Sequence, residues 1–305
     1  MRTFSSYLMV CIKGIGMGAA DVIPGVSGGT IAFLTGIYQE LLDSIKSVDL
    51  KAIKLLFTFR LGKFWKKING NFLFSLILGI LISFFSLAKL MTYLMEHHPI
   101  PLWSFFFGLI IASAVLILRD IKWYLPKYLI PLVIGTAIGA AICLLSPAET
   151  PDQLWFIFLC GAIAICAMIL PGISGSFILL LLGKYTYMLN ALTELDIVLI
   201  LTFVAGAAIG IVSFSHFLSW LLKKYHTMTI SLLAGIMIGS LLKVWPWQVI
   251  LESGVSRPAL PYNEMLQSSG HVPTAITFAV IGIVLVTAIE LAAKRIGNKK
   301  AEVQK

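Results

Sequence analysis

The heptapeptide Ile23-Pro24-Gly25-Val26-Ser27-Gly28-Gly29 recurs as Leu170-Pro171-Gly172-Ile173-Ser174-Gly175-Ser176, 147 positions further along the chain. Each copy lies in the middle of an apolar region, residues 5–45 in the first case and residues 154–191 in the second. A Pro-Gly pair interrupts a helix, because proline lacks the amide hydrogen and glycine is conformationally free. The repeat therefore predicts two broken helices at equivalent places in the chain.

Further matches extend this internal repeat over the rest of the chain. At the offset of 147 the matches are Gly36 with Gly183, Tyr38 with Tyr185, Pro126 with Pro273 and Gly135 with Gly282. At an offset of 127 they are Gly79 with Gly206, Ser86 with Ser213, Ser104 with Ser231, Gly108 with Gly235 and Ser113 with Ser240. The offset changes because the first copy has an additional segment near 46–70 and the second has one near 247–270.

The composition of the 305-residue chain is typical of an integral membrane protein. Hydrophobic residues make up 59% and charged residues 12%, against about 45–50% and about 25% in soluble domains, and the mean hydropathy is +0.95. These values exclude a water-soluble globular protein and a disordered one. The cysteines (Cys11, Cys143, Cys160 and Cys166) lie in apolar stretches without metal-ligand spacing, which indicates small buried hydrophobic residues.

Six apolar runs are long enough to cross a bilayer as helices, which takes about 20 residues. They are approximately 72–95, 103–118, 128–146, 197–222, 229–245 and 272–292. Only about 14 apolar residues follow the second break, and they span about 21 Å of a hydrocarbon core about 30 Å thick. We therefore predict re-entrant helical hairpins at 5–45 and 154–191, with two short spans as the alternative in the first copy.

Lysine and arginine residues orient these spans. They accumulate in 46–67, in 119–127, around Lys223 and near both termini, whereas the opposite loops contain Arg257 and several acidic residues. The positive-inside rule then predicts that both termini are cytoplasmic. This topology accounts for the net charge of +9 without a nucleic-acid partner. The basic segment 46–70 either lies on anionic lipid at the cytoplasmic face or forms a solvated loop.

The predicted fold class is an all-α integral membrane protein built from two inverted-topology repeats. The first repeat is 1–146 and the second is 147–305, and each contains a broken re-entrant helical hairpin and three transmembrane helices. Because three is an odd number, the second repeat begins on the opposite side of the membrane. Inverted repeats with broken helices are typical of secondary transporters.

The residues after each break form a predicted anion site. They are Ser27, Gly28, Gly29 and Thr30 in the first copy and Ser174, Gly175 and Ser176 in the second. The first amides of a helix have no intrahelical partner and form the positive end of its dipole, so they bind phosphate or carboxylate. The alternative is that Pro-Gly only kinks the helix and the serines satisfy freed backbone groups.

Charged residues within apolar segments are costly and are therefore candidates for function. We assign Lys13, Lys243 and Arg119 to phosphate binding, with Lys89 and Lys184 as further candidates, and Asp21 and His216 to coupling or charge compensation. The alternatives are that Lys89, Lys243 and Arg119 extend to the interface, that Lys13 pairs with Asp21, and that His216 is a packing residue. We predict no cofactor and no metal.

Around these residues the sequence resembles a bacterial membrane-protein family, formerly a domain of unknown function, of polyprenyl-phosphate transporters that recycle undecaprenyl phosphate. The resemblance rests on Lys13-Gly14-Ile15-Gly16-Met17-Gly18-Ala19-Ala20-Asp21, on Pro24-Gly25-Val26-Ser27-Gly28-Gly29-Thr30, on 171–176 and on 239–247. It implies that a polyprenyl phosphate returns from the outer to the inner leaflet of the bacterial cytoplasmic membrane, for reuse in cell-envelope and peptidoglycan synthesis. A co-transported proton or cation would offset the charge movement.

Three other functions compete with a lipid flippase. A small inorganic-anion transporter or channel would use the same helix starts. An intramembrane serine hydrolase would use the G-x-S-x-G pattern at 25–29 with His216 as base, but the pattern occurs twice and no second histidine is well placed. A scaffold protein leaves the doubled polar breaks unexplained. We therefore predict a transporter and not an enzyme.

Overall fold

The computed structural model describes residues 4–21, 27–119, 121–145, 150–250, 256–262 and 271–303, and these residues are mostly helical. The helices are α1 (Phe4–Asp21), α2 (Gly28–Leu34), α3 (Tyr38–Lys46), α4 (Leu50–Phe57), α5 (Leu61–Lys67), α6 (Gly70–His97), α7 (Pro99–Arg119), α8 (Pro126–Leu144), α9 (Leu154–Ile169), α10 (Gly175–Leu181), α11 (Tyr185–Thr193), α12 (Ile197–Lys224), α13 (His226–Ser240) and α14 (Val272–Val303).

Among the described residues, three helices are long and apolar enough to cross a membrane, namely α7, α8 and α12. A fourth results if α5 and α6, which meet at a bend of 74°, form one span. The predicted spans 229–245 and 272–292 correspond to α13 and to the apolar part of α14, which are shorter. Helix α13 ends at Ser240, and Lys243 follows it in a turn before Trp245-Pro246, where proline disfavours helix in the preceding residue.

The prediction of an all-α protein is wrong in one place. Strand β1 (Gln248–Ile250) pairs in antiparallel orientation with strand β2 (Ser256–Pro258). The Trp245 indole stabilises this ribbon by donating a hydrogen bond at 2.8 Å to the carbonyl oxygen of Ala259, the residue that follows β2. The ribbon lies in the additional segment of the second copy, where the repeat offered no counterpart from which to predict it.

The structure ends a helix at each predicted break. In the second copy α9 ends at Ile169 and α10 begins at Gly175, and Gly172 between them has φ +92, a left-handed conformation that favours glycine. In the first copy α1 ends at Asp21 and α2 begins at Gly28. The Pro24-Gly25 pair lies outside the described residues.

Three pairs of equivalent helices in the two copies have equal length, and the packing of the helix pairs also corresponds. Helices α2 and α10 have 7 residues each, α3 and α11 have 9 each, and α6 and α12 have 28 each. Helix α1 packs on α6 as α9 packs on α12, and α7 packs on α14 as α8 packs on α13. The repeat seen in the sequence is therefore also a repeat of helix pairs.

Glycine contacts show that this correspondence extends to single residues. A Cβ atom on Gly79 would overlap the carbonyl oxygen of Cys11, and one on Gly206 would overlap that of Phe158. Gly206 is the repeat partner of Gly79, and Phe158 lies 147 positions after Cys11. Small residues of this kind let membrane helices approach closely. The same relation holds for Gly108 beside Ala279 and Gly235 beside Leu132.

The basic segment 46–70 forms the two short helices α4 and α5, not the solvated loop that was one alternative. Asp49 caps α4 by accepting a hydrogen bond from the Ala52 amide at 2.8 Å, and it lies 2.7 Å from the Lys67 ammonium. The hydrogen bond from Lys67 and that from Ala52 hold the pKa of Asp49 below its usual range. Leu50 and Phe57 are exposed, so an apolar surface accompanies the basic residues.

Candidate functional site

The two breaks are in direct contact. The Ser27 hydroxyl donates to the carbonyl oxygens of Met168 at 3.0 Å and Leu170 at 3.3 Å. In the opposite direction, the amide of Gly172 donates to the Thr30 hydroxyl oxygen at 2.9 Å. Because Ser27 and Thr30 are completely buried, these hydrogen bonds join the start of α2 to the end of α9 inside the protein.

Two further residues fix this junction. A Cβ atom on Gly29 would come within 2.6 Å of the Ile169 carbonyl oxygen and 2.9 Å of that of Met168, so only glycine fits. The buried Tyr38 hydroxyl donates to the same Ile169 oxygen at 3.0 Å. Sequence reasoning did not include Tyr38 among the site residues, although its match with Tyr185 in the internal repeat was a signal that could have found it.

In the first break the protein itself satisfies the start of α2. The Gly28 amide donates to the Asp21 carboxylate at 2.7 Å, and the Gly29 amide donates to the Ser27 hydroxyl oxygen at 3.1 Å. The Thr30 amide donates to the Ser27 carbonyl oxygen at 2.9 Å. We predicted that these amides face an external anion. In the structure these amides donate to oxygen atoms of the chain itself, among them the Asp21 carboxylate.

Lys13 and Asp21 act on opposite ends of α2. The Lys13 ammonium donates to the carbonyl oxygen of Thr35, the C-cap residue of α2, at 2.6 Å. Asp21 accepts from the N-terminal end, about 10 Å away along a seven-residue helix. This places a positive charge at the negative end of the helix dipole and a negative charge at the positive end. Lys13 therefore lies at the opposite end of α2 from the predicted anion site.

The second break has a different set of groups. Ser174 is the N-cap residue of α10 but makes no capping hydrogen bond, and its hydroxyl oxygen lies 2.7 Å from that of Ser176. Within the described part of the chain, no group accepts a hydrogen bond from the Gly175 amide. The position equivalent to Asp21 is Met168. Among the residues that the structure describes, no carboxylate of this kind caps α10.

Lys243 lies beside this second helix start. Its ammonium is 4.3 Å from the ring centre of Phe177, which belongs to the first turn of α10. Ser240, at the end of α13, lies close to Gly172 of the break, where a Cβ atom would meet its hydroxyl oxygen at 2.9 Å. An ammonium, two neighbouring hydroxyls and a helix N-terminus together favour a negatively charged group.

The remaining candidates lie elsewhere. Lys184 is buried and binds Asp152 at 2.5 Å and the Thr150 carbonyl oxygen at 2.7 Å. Arg119 is exposed at the end of α7. The ring Nδ1 of His216 lies 2.8 Å from the Val212 carbonyl oxygen, one turn earlier on α12. Lys89 belongs to α6, and its side chain lies outside the described residues. The described residues contain no group of three or more potential metal ligands.

These features define a class of protein, a mostly helical membrane protein in which two interrupted helices meet. Residues 17–259 match the VCA0040-like family, described as undecaprenyl phosphate translocase-like, and the chain belongs to this family. A curated relative from Vibrio cholerae serotype O1, named polyprenyl-phosphate transporter, is 46% identical over 263 residues, which are 85% of each chain. A relative of the same name from Staphylococcus aureus is 32% identical over 255 residues, 77% of this chain and 85% of its own. No solved structure matches the chain.

Proposed function

We propose that this protein carries a polyprenyl phosphate, such as undecaprenyl phosphate, from the outer to the inner leaflet of the bacterial cytoplasmic membrane. The lipid carrier then becomes available again for cell-envelope synthesis. The names of the two relatives support the substrate. The geometry supports an anionic headgroup, because the second break combines helix-start amides with hydroxyl groups and an ammonium.

One observation carries this proposal, namely the difference between the two helix starts. Lys243 lies beside the first turn of α10, whereas the start of α2 already donates a hydrogen bond to the Asp21 carboxylate. The phosphate binds between Ser174, Ser176 and Lys243, at the helix start without a capping carboxylate. The first break supports this site through Ser27 and Thr30, which hold the end of α9 in place. The polyprenyl chain remains in the surrounding lipid, where it needs no polar partner.

The proposal includes two repeats of opposite topology, each with a re-entrant hairpin. The equivalent helix pairs and the equivalent glycine contacts support it. The asymmetry of basic residues supports cytoplasmic termini. In this orientation α4 and α5 rest on anionic lipid at the cytoplasmic face, and Arg119 receives the phosphate on the same side.

Charge movement sets a condition on the mechanism. Moving one negative charge toward a negative interior costs about 2.3 kcal/mol per 100 mV. We propose that a coupled proton or cation offsets this cost, with Asp21 and His216 as the titratable groups. Asp21 is the stronger candidate, because its carboxylate already contacts a helix start at the junction of the two breaks.

The test uses the full-length protein in liposomes that contain undecaprenyl phosphate. We expect the protein to accelerate the movement of the lipid between leaflets and to bind it more tightly than inorganic phosphate. Uptake of inorganic phosphate without lipid movement would favour the anion transporter instead. Covalent labelling of Ser27 by a serine-directed phosphonate would favour a hydrolase.

A further inference from the structure

Helices α5 and α6 meet at an elbow, residues 61–71, at the end of the basic segment. The two helices are bent by 74° relative to each other. Between them Asn69 has φ 54, a left-handed conformation that asparagine tolerates better than most residues. The Asn69 side chain donates a hydrogen bond to the Glu40 carboxylate of α3 at 2.9 Å. The backbone turn and this hydrogen bond therefore fix the elbow against the rest of the first copy.

The Trp65 indole of α5 packs against the first turn of α6. A Cβ atom on Gly70 would overlap the indole ring, so only glycine fits at this position. The indole nitrogen donates a hydrogen bond to the side-chain oxygen of Asn71 at 2.6 Å, and the indole lies 6.4 Å from the ring centre of Phe74. Tryptophan is enriched at the boundary between lipid and water. This contact indicates that the elbow lies at the level of the lipid headgroups.

A cavity opens at the elbow, between the start of α1, α5 and the start of α6. Its volume is about 780 Å³, which is within the range of about 300–1,000 Å³ that ligand sites occupy. Its walls include Tyr7, Gly62, Trp65, Lys66 and Asn71. A second cavity of about 460 Å³ adjoins it and shares Gly62 and Lys66 with it. The elbow therefore offers two connected spaces on one side of α5.

The charged residues that line the two cavities are cations. Lys66 lines both cavities, and Arg60 and Lys63 line the second. None of the described residues that line either cavity is acidic. Asp49, at the start of α4, is paired with Lys67, which lines neither cavity. The charge of the cavities therefore complements an anionic group, such as a phosphate.

The surroundings of the cavities are apolar and exposed. On α6, Phe74 and Leu78 follow Asn71 on the same face of the helix, and both side chains are exposed. Phe57 and Phe59, just before α5, are exposed as well. When α6 crosses the bilayer, α5 lies nearly parallel to the membrane surface because of the bend of 74°. A lipid can then place its headgroup in the cavities and its acyl chains along α6.

We propose that the elbow binds the headgroup of one anionic phospholipid of the surrounding membrane, such as cardiolipin. Lys66 binds a phosphate where the two cavities join, and the acyl chains lie against Phe74 and Leu78. The site goes beyond the proposed function, because it shares no residue with the site proposed for the polyprenyl phosphate. It also differs from a general attraction between a basic segment and anionic lipid, because a cavity between helices selects a single lipid molecule.

The test measures lipid binding to the full-length protein, purified in detergent and freed of bound lipid, by native mass spectrometry. The probes are cardiolipin and, as the zwitterionic control, phosphatidylethanolamine. We expect one cardiolipin to bind about tenfold more tightly than phosphatidylethanolamine, which corresponds to one additional charged hydrogen bond. Equal binding of the two lipids would overturn the proposal.

The variant Gly62→Leu tests the cavity without changing the charge. A Cβ atom on Gly62 would meet no other atom within 4 Å, so leucine fits without strain, and it favours a helix more than glycine does. Its side chain occupies space in both cavities, so we expect cardiolipin binding to weaken about tenfold while thermal stability is maintained. Thr58→Leu is the matched control, because Thr58 is exposed and lines neither cavity. Unchanged binding in Gly62→Leu would contradict the proposal.

The variant Lys66→Gln tests the charge without filling the cavity. We expect it to weaken cardiolipin binding about tenfold, whereas Lys54→Gln, which removes an exposed lysine of α4 outside both cavities, should have little effect. Equal losses would mean that only the overall charge matters, and the site would fall.

Undecaprenyl phosphate distinguishes the proposed phospholipid site from a second substrate site. Its binding should be unchanged in Gly62→Leu, and a loss as large as that of cardiolipin would show that the cavity belongs to the substrate instead. Cardiolipin binding is measured without any lipid movement between leaflets. The phospholipid site can therefore stand if the protein moves no undecaprenyl phosphate, and it can fall if the protein does.

Discussion

The two helix breaks share a sequence motif but present different chemistry. At the first break, Asp21 and Ser27 satisfy the start of α2, and Lys13 holds its other end. At the second break, methionine replaces the aspartate, the two hydroxyls contact each other, and Lys243 stands beside the first turn of α10. The first copy of the motif therefore builds the junction, and the second provides groups for an anion.

This difference shows that two copies of one sequence motif can have different roles in the same protein. A charged group in a membrane protein needs a partner, because the surrounding medium does not solvate it. Asp21 finds its partner at the start of α2, so a phosphate bound there would face a second negative charge. At the start of α10 a phosphate instead meets the positive charge of Lys243. The asymmetry therefore favours the second break as the phosphate site of the proposed function.

Exchanging Gly29 and Ser176, which are repeat partners, should have the largest effect. Gly29→Ser places a side chain against the Ile169 and Met168 carbonyl oxygens, so we expect a loss of about 3 kcal/mol in stability and little folded protein. The matched variant Ser176→Gly should cost only about 0.5–1 kcal/mol. Thermal unfolding in detergent measures both. Equal effects would show that the two breaks are equally tightly packed.

Removal of the ammonium beside α10 should have the next largest effect. Lys243→Met should weaken binding of undecaprenyl phosphate by about 10–100-fold, the value of a charged hydrogen bond of about 1.5–3 kcal/mol. Lys127→Met is the control, because Lys127 also lies over an aromatic ring, 4.8 Å from the centre of Tyr128. An equal loss in both variants would mean that only the overall positive charge matters.

Replacing the two N-cap serines with alanine should lower stability in one case and lipid binding in the other. Ser27→Ala removes a cap and two hydrogen bonds between the breaks, so it should lower the free energy of unfolding by about 1–2 kcal/mol. Ser174→Ala removes no cap and should instead weaken lipid binding by about tenfold. Binding titrations and unfolding curves on the same samples decide this. A reversed pattern would place the substrate at the first break.

Variants of Asp21 should have a small effect on stability. Asp21→Met copies the second break and should cost about 1 kcal/mol through the lost cap, whereas Asp21→Asn keeps an acceptor and should cost less. Coupling is read from transport under an imposed pH gradient. The gradient should accelerate the wild-type protein and leave Asp21→Asn unaffected. If both respond equally, Asp21 does not carry the proton.

The sequence predicted the helix breaks and the internal repeat, because these depend on local residues and their spacing. The Pro-Gly pairs interrupt the helix locally, and the repeat partners Gly79 and Gly206 both lie at close helix contacts. It also selected Ser27, Ser174 and Lys243. It did not predict the contact of Tyr38 with the Ile169 carbonyl oxygen or that of Lys13 with the end of α2, because these partners are distant in sequence.

The β-ribbon and the end of α13 were also missed, for another reason. The segment around 247–270 has no counterpart in the first copy, so the repeat gave no second observation of it. The apolar and aromatic residues around Trp245, just before this segment, continue the composition of helix α13. Pattern alone therefore extended the span to 245, whereas the chain turns after Ser240.

The sequence by itself determined that this chain is a helical membrane protein with a duplicated, interrupted helix, because hydropathy and residue spacing are local properties. Only the tertiary structure decided at which break a carboxylate of the chain accepts a hydrogen bond from the helix start. It also decided that Tyr38 and Leu42 of α3 are buried while their repeat partners in α11 are exposed. Those outcomes depend on where distant side chains come to lie. Two nearly identical motifs can differ in them because each meets different neighbours after folding.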